Sequence, residues 1–156
     1  EMILELAERT GWAGMIGGQA ADIAGQSQDP SLDRTQYIHE HKTAALFEAA
    51  CRLGAMAGRG KADDVAALGR FGRCLGRAFQ IADDLLDVTS TADKLGKTAG
   101  KDVTAGKQTY PRCVGVEQSR AAAKAAADAA IAEIDGYGTT ADDLRDIAAY
   151  AASRSF

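Results

Sequence analysis

Residues 79–87 read FQIADDLLD and gather three carboxylates, Asp83, Asp84 and Asp87, inside an apolar helical pattern. At 3.6 residues per turn, Asp83 and Asp87 share one helix face, about 40° apart around the axis and roughly 6 Å apart along it. Two carboxylates stacked this way repel one another unless cations hold them together. Oxygen-only ligands suit a hard ion, and Mg²⁺ takes one or two carboxylates and completes its shell with water and substrate phosphates. The chemistry on offer is a magnesium–phosphate site on a helix wall. Read alone, a DDxxD cluster is more often a solvated acidic face. Against that alternative, Asp83 and Asp87 fall near the stripe formed by Leu68, Phe71, Leu75, Phe79 and Leu86. A carboxylate that continues a core-facing stripe must be paired or metal-bound.

Phosphate also requires cationic side chains that offset the charge the ions leave over. Lys97 and Lys107 each follow a glycine within residues 89–110, a polar Gly/Lys-rich segment directly downstream of the acidic helix. A loop of this length in a compact domain is usually a lid or binding loop. Closing it over a magnesium–diphosphate would screen that group from water. Lys42 stands beside Thr43 in a long helix and, by position alone, reads as a surface lysine. His39 and His41 flank it, but residues i and i+2 do not share a helix face, so both read as satisfied or exposed side chains and not as a metal cluster. Gln19 and Gln80 can donate hydrogen bonds inside a pocket or serve structure only.

The elements that position these residues are all helical. Alanine is abundant, β-branched residues are sparse, and prolines occur only at 30 and 111. Helices are expected over residues 2–9, 12–25, 32–58, 62–88, 111–135 and 141–151, six or seven in all with no strand. Ser31 is placed to cap the third helix and Thr140 the last. Gly14, Gly17 and Gly18 each cost about 1 kcal/mol inside a helix, so a neighbouring helix or ligand must approach closely there. The Ala run at 121–130 reads as a close-packed or partly exposed helix. At 156 residues the chain fits one domain with a real core. Its net charge of −4 argues weakly against a nucleic-acid surface. Cys51, Cys74 and Cys113 read as buried free thiols, being too far apart for a compact zinc motif. No apolar run can span a bilayer and no secretory leader is visible, so a cytosolic protein is expected. The chain opens at Glu1 within a helical pattern and without an initiator methionine, which fits a fragment of a larger protein.

The order of these pieces resembles the C-terminal half of the trans-isoprenyl diphosphate synthases, the farnesyl, geranylgeranyl and longer-chain polyprenyl enzymes. GMIGGQAADI at 14–23 is similar to that family's glycine–glycine–glutamine helix, and HKTAALFEAACRLGA at 41–55 to its lysine–threonine helix. FQIADDLLDV at 79–88 resembles its second aspartate-rich motif, and LGKTAGKDVTAGKQTYP at 95–111 the loop that follows. The resemblance implies an all-α helical bundle of the isoprenoid synthase type, working as a homodimer. It implies that Asp83 and Asp87 hold magnesium on an allylic diphosphate, with Asp84 as a third, supporting member of the set. Lys42, Lys97 and Lys107 would bind the diphosphate, Thr43, Gln80 and Gln19 would assist, and Phe79 would line the prenyl cavity. The implied reaction ionises an allylic prenyl diphosphate and couples it to isopentenyl diphosphate.

The family's first aspartate-rich motif and the basic residues that bind isopentenyl diphosphate do not occur in these 156 residues, so the chain by itself is expected to turn over little. A regulatory subunit of a heteromeric prenyl synthase and a terpene cyclase are the competing readings. The GKxxGxDxxxGKxTYP loop speaks against the cyclase. Half a bundle leaves apolar helix faces uncovered, and self-association is expected to cover them.

Overall fold

A computed structural model describes the backbone of residues 1–94 and 106–153, and the side chains of 1–88 and 106–153. The described elements are α1 (Met2–Thr10), α2 (Met15–Gly25), α3 (Leu32–Ile38), a π-helical segment (His39–Ala44), α4 (Ala45–Ala57), α5 (Ala62–Lys94), α6 (Tyr110–Val114), α7 (Val116–Glu133), a 3₁₀ turn (Asp135–Ala141) and α8 (Asp142–Ser153). No strand occurs among the described residues.

The 33-residue α5 is the axis of the bundle, packing against α4, the π segment, α7 and α8. Phe71 and Leu75 on α5 meet Ala130 and Ile134 at the end of α7 and Ala148 and Ala151 on α8. Burying a side chain such as the fully enclosed Phe71 stabilises the fold by about 2–3 kcal/mol. A second cluster joins Ile81 and Leu85 of α5 to Ala123 of α7. The Ala run therefore serves close packing. Ala123, Ala127 and Ala130 recur at helical spacing, and all three are buried. On the α4 side, a Cβ at Gly76 would lie 2.6 Å from the Ala44 Cα, so only glycine lets α5 approach this closely.

Four local features depart from the sequence expectation. The single helix expected over 32–58 contains a π turn, so one extra residue shifts the faces presented before and after it. The acidic helix continues to Lys94. The helix expected from 111 divides at Gly115, whose φ of +85° lies in the region that favours glycine. Thr140 does not cap α8; its hydroxyl donates to the Tyr137 carbonyl at 2.6 Å within the 3₁₀ turn. Ser31 does cap α3, its Oγ accepting from the Arg34 amide at 3.4 Å.

A ladder of charges closes the α1 end of the bundle. Glu5 accepts from Arg9 (3.2 Å) and Arg52 (2.7 Å), and Arg9 reaches on to Glu48 (2.7 Å). Burial pushes the Glu5 carboxyl up, but the guanidinium groups of Arg52 and Arg9 outweigh it and hold Glu5 below its ordinary value. Burial raises Glu48 against the pull of Arg9 and Arg52. Cys51, Cys74 and Cys113 are free and half-buried, and burial raises the thiols of Cys51 and Cys74.

Candidate diphosphate and metal site

α5 presents Asp83 and Asp87 one turn apart. Asp83 is half-buried and Asp87 exposed, and the Lys107 ammonium stands 4.0 Å from an Asp87 oxygen. A pair of carboxylates with a lysine opposite is a donor set suited to an ion that completes its shell with water and phosphate oxygens. Among the described residues no cluster of three or more His, Cys, Asp or Glu forms a protein-only metal cage. One turn earlier, the half-buried Phe79 ring packs tilted against Phe47, with centroids 5.2 Å apart.

Asp84 behaves differently from its neighbours. It is only 6% exposed. Its Oδ2 accepts from the Tyr110 amide at 2.8 Å and lies 3.1 Å from His39 Nε2, while Oδ1 accepts from Gln80 at 3.3 Å. Both oxygens are thus engaged by groups of the protein itself.

The π segment builds this arrangement. His39 and Thr43 are four residues apart on it, and Gln80 and Asp84 are four apart on α5. The two pairs meet rung for rung, since Thr43 Oγ1 donates to Gln80 Oε1 at 2.7 Å and His39 meets Asp84. Lys42 turns toward α2 and binds Asp22 at 2.6 Å. There Gly18 finds its reason, because a Cβ at Gly18 would sit 2.2 Å from the Lys42 amide nitrogen. Gln19 is exposed on the same helix. His41 bonds the Tyr37 carbonyl at 2.8 Å, so the two histidines do occupy different faces.

Lys107 is held from its flanks. Gln108 is 4% exposed, and its Nε2 donates toward the carbonyls of Gly25 (3.0 Å), Gln28 (3.2 Å) and Asp29 (3.3 Å). Its Oε1 accepts from the Ser31 amide at 3.0 Å, and the Ser27 amide donates to Gly106 at 3.0 Å. The segment 106–110 is thus stapled to the α2–α3 turn at one end and to Asp84 at the other. Lys97, assigned to the diphosphate from sequence, lies outside the described residues.

Asp22, His39, Gln108 and Tyr110 were not singled out as site residues by sequence. A signal existed for Asp22, an acid three residues after Gln19 in a glycine-rich apolar helix. The other three pair across 26 to 83 positions, a range at which local pattern carries no information. A cavity of about 670 Å³ opens between α3, α5 and α7, lined by Tyr37, Arg77, Ile81 and Ala126 among others. Asp83, Asp87 and Lys42 are not in its wall, so the carboxylate face lies elsewhere on α5.

Known proteins share this architecture. The family model described as polyprenyl synthetase matches residues 2–148. Geranylgeranyl pyrophosphate synthase 11, chloroplastic, of Arabidopsis thaliana is 44% identical over 156 residues, covering 97% of this chain and 44% of that protein. An FPP/GFPP synthase from Zymomonas mobilis superposes with a TM-score of 0.80 at 38% identity, over 96% of this chain and 49% of that one. A Helicobacter pylori geranyltransferase, solved with magnesium and isoprenyl diphosphate, superposes at 0.76 and 28% identity, over 96% and 49%. The chain thus spans less than half the length of that plant relative and about half of the solved chains. The plant relatives carry chloroplastic names and one a mitochondrial name, which overturns the expectation of a cytosolic protein. No described helix is long and apolar enough to cross a membrane. With the family model spanning nearly the whole chain, this protein belongs to the polyprenyl synthetase family.

Proposed function

We propose that these residues form one wall of a trans-prenyltransferase site, which condenses an allylic prenyl diphosphate with isopentenyl diphosphate. The observation that carries the reading is Asp83 and Asp87 one turn apart on α5 with Lys107 facing Asp87. Asp83 and Asp87 would hold magnesium, which when bound neutralises charge on the departing diphosphate. Lys107 and Lys42 add cationic charge to the same group, and Lys42 reaches it by exchanging its bond to Asp22. Phe79 and Phe47 wall the hydrocarbon end and keep water from the allylic carbon. The allylic C–O bond breaks, the freed carbon bonds to the isopentenyl double bond, and the released diphosphate takes the proton lost in closing. The alignment to about half of each solved chain supports a further part of the proposal, that residues outside 1–156 supply the facing carboxylates.

Calorimetric titration of magnesium with dimethylallyl diphosphate tests the binding half of this reading. Asp83→Ala is expected to weaken the magnesium-dependent component tenfold or more, and an unchanged isotherm would remove Asp83 from the site. The exposed apolar residues of α1 and of the turn after it add a statement about assembly. Ile3, Leu4 and Trp12 are 87%, 62% and 76% exposed, a patch that proteins cover. The isolated 156 residues are expected to self-associate through it, and a monodisperse monomer by light scattering would contradict this.

A further inference from the structure

The geometry points to His39 and Asp84 as a buried clasp that positions the Lys107–Tyr110 segment on α5 and so sets Lys107 against Asp87. It rests on the reading of Asp83 and Asp87 as the ion-holding pair, and its parts are visible independently of that reading. The His39 side chain is 5% and the Asp84 side chain 8% exposed, with 3.1 Å between Nε2 and Oδ2. A carboxylate this enclosed persists only with donors around it. It has three, the His39 ring, the Gln80 amide and the Tyr110 backbone N–H. The His39 ring also stacks on Tyr110, centroids 5.8 Å apart and planes 25° from parallel. His39 therefore touches both partners of the hydrogen bond from the Tyr110 amide to Asp84, beside which the Tyr110 side chain packs on the Ile81–Leu85 cluster of α5.

The ring has a defined orientation. Nε2 is the nitrogen that faces Asp84, at donor distance from its Oδ2, and Nδ1 is buried without a hydrogen-bond partner among the described residues. Gln80 extends the clasp to Thr43, and Thr43 is the neighbour of Lys42. A single buried carboxylate thereby links the registers of two lysines contributed by elements far apart in sequence. Asp84, though it sits inside the aspartate-rich motif, is a positioning residue by this account, and so is His39.

Amide hydrogen exchange at Tyr110 in the full chain, with circular dichroism as a folding control, tests the clasp directly. His39→Ala is expected to speed exchange at Tyr110 by about tenfold or more, the effect of losing a charge-assisted partner. His39→Gln, which places a donor near the position of Nε2, is expected to restore most of the protection. Unchanged exchange in His39→Ala, or equal loss in both variants, would overturn the proposal. The second readout is binding of magnesium with inorganic diphosphate, for which His39→Ala is expected to cost less than Asp83→Ala. If Asp83→Ala has no effect on that binding while the exchange result holds, the ion-site reading fails and the clasp stands. If Asp84→Asn costs as much binding as Asp83→Ala while leaving Tyr110 protected, Asp84 is a ligand and the clasp is wrong.

Discussion

Removing the Gln108 side chain is expected to cost far more than its place in a polar segment implies. Gln108 is enclosed, and its amide satisfies the Ser31 N–H and carbonyls of Gly25, Gln28 and Asp29. Two amide hydrogens cannot fully serve three acceptors, so two donated bonds and one accepted bond are a fair count. At about 1 kcal/mol net each, with a further penalty wherever truncation strands a buried group, Gln108→Ala loses about 3 kcal/mol. For a domain of this size that is a fall in Tm of about 6–12 °C. Urea denaturation followed by circular dichroism measures it, with the midpoint lowered and the slope unchanged. Gln108→Glu has the same shape but sets a carboxylate against carbonyl oxygens, and is expected to be at least as damaging. A loss below about 1 kcal/mol for Gln108→Ala, or stability retained in Gln108→Glu, would refute the idea that this amide fastens the segment carrying Lys107.

Gly18→Ala places a Cβ 2.2 Å from the Lys42 amide nitrogen and forces α2 away from the π segment, which is expected to cost about 1–3 kcal/mol in a thermal melt. Tyr137 and Asp64 form a pH-sensitive pair. The Tyr137 hydroxyl, 2.8 Å away, holds the Asp64 carboxyl below its ordinary value, helped by the Lys61 amide, and the same bond raises Tyr137. A depressed carboxyl stabilises the fold above the ordinary aspartate range and ceases to as the pH falls below about 4. The raised phenol contributes below about pH 10 and is lost above it. Tyr137→Phe is therefore expected to shift the Asp64 titration upward in a carboxyl ¹³C NMR series, and an unmoved titration would show that this hydrogen bond does not set it.

Much of this architecture can be read from residue order. The apolar stripe of α5, the Ala spacing of α7 and the Ser31 cap are local, and each forms where its pattern points. The glycines at 14, 17 and 18 announce close approaches, although only Gly18 meets another helix, at the Lys42 backbone, while Gly14 and Gly17 meet the Arg9 and Trp12 carbonyls. The π turn is illegible because HEHKTA carries no breaker; its register is settled by what His39 and Thr43 meet on α5. The break at Gly115 has a signal that abundant helix formers on both sides conceal. Within the site, the sequence places Asp83 and Asp87 on one face and gives Asp84 a supporting part, without naming the partners that would bury it. One residue of offset turns Asp84 by about 100° around the helix and into the interior, where the long-range partners His39 and Tyr110 join the nearby Gln80 in making that burial tolerable.

Transfer of labelled isopentenyl diphosphate onto geranyl diphosphate, in the polypeptide that carries these 156 residues, tests the central claim most directly. With magnesium, a prenyl product is expected, and Asp83→Ala is expected to lower its formation by at least about a hundredfold, as loss of a principal electrostatic group does. Product formation undiminished in Asp83→Ala, or undiminished when magnesium is removed with chelator, would contradict the assignment of this helix face to an ion-held diphosphate.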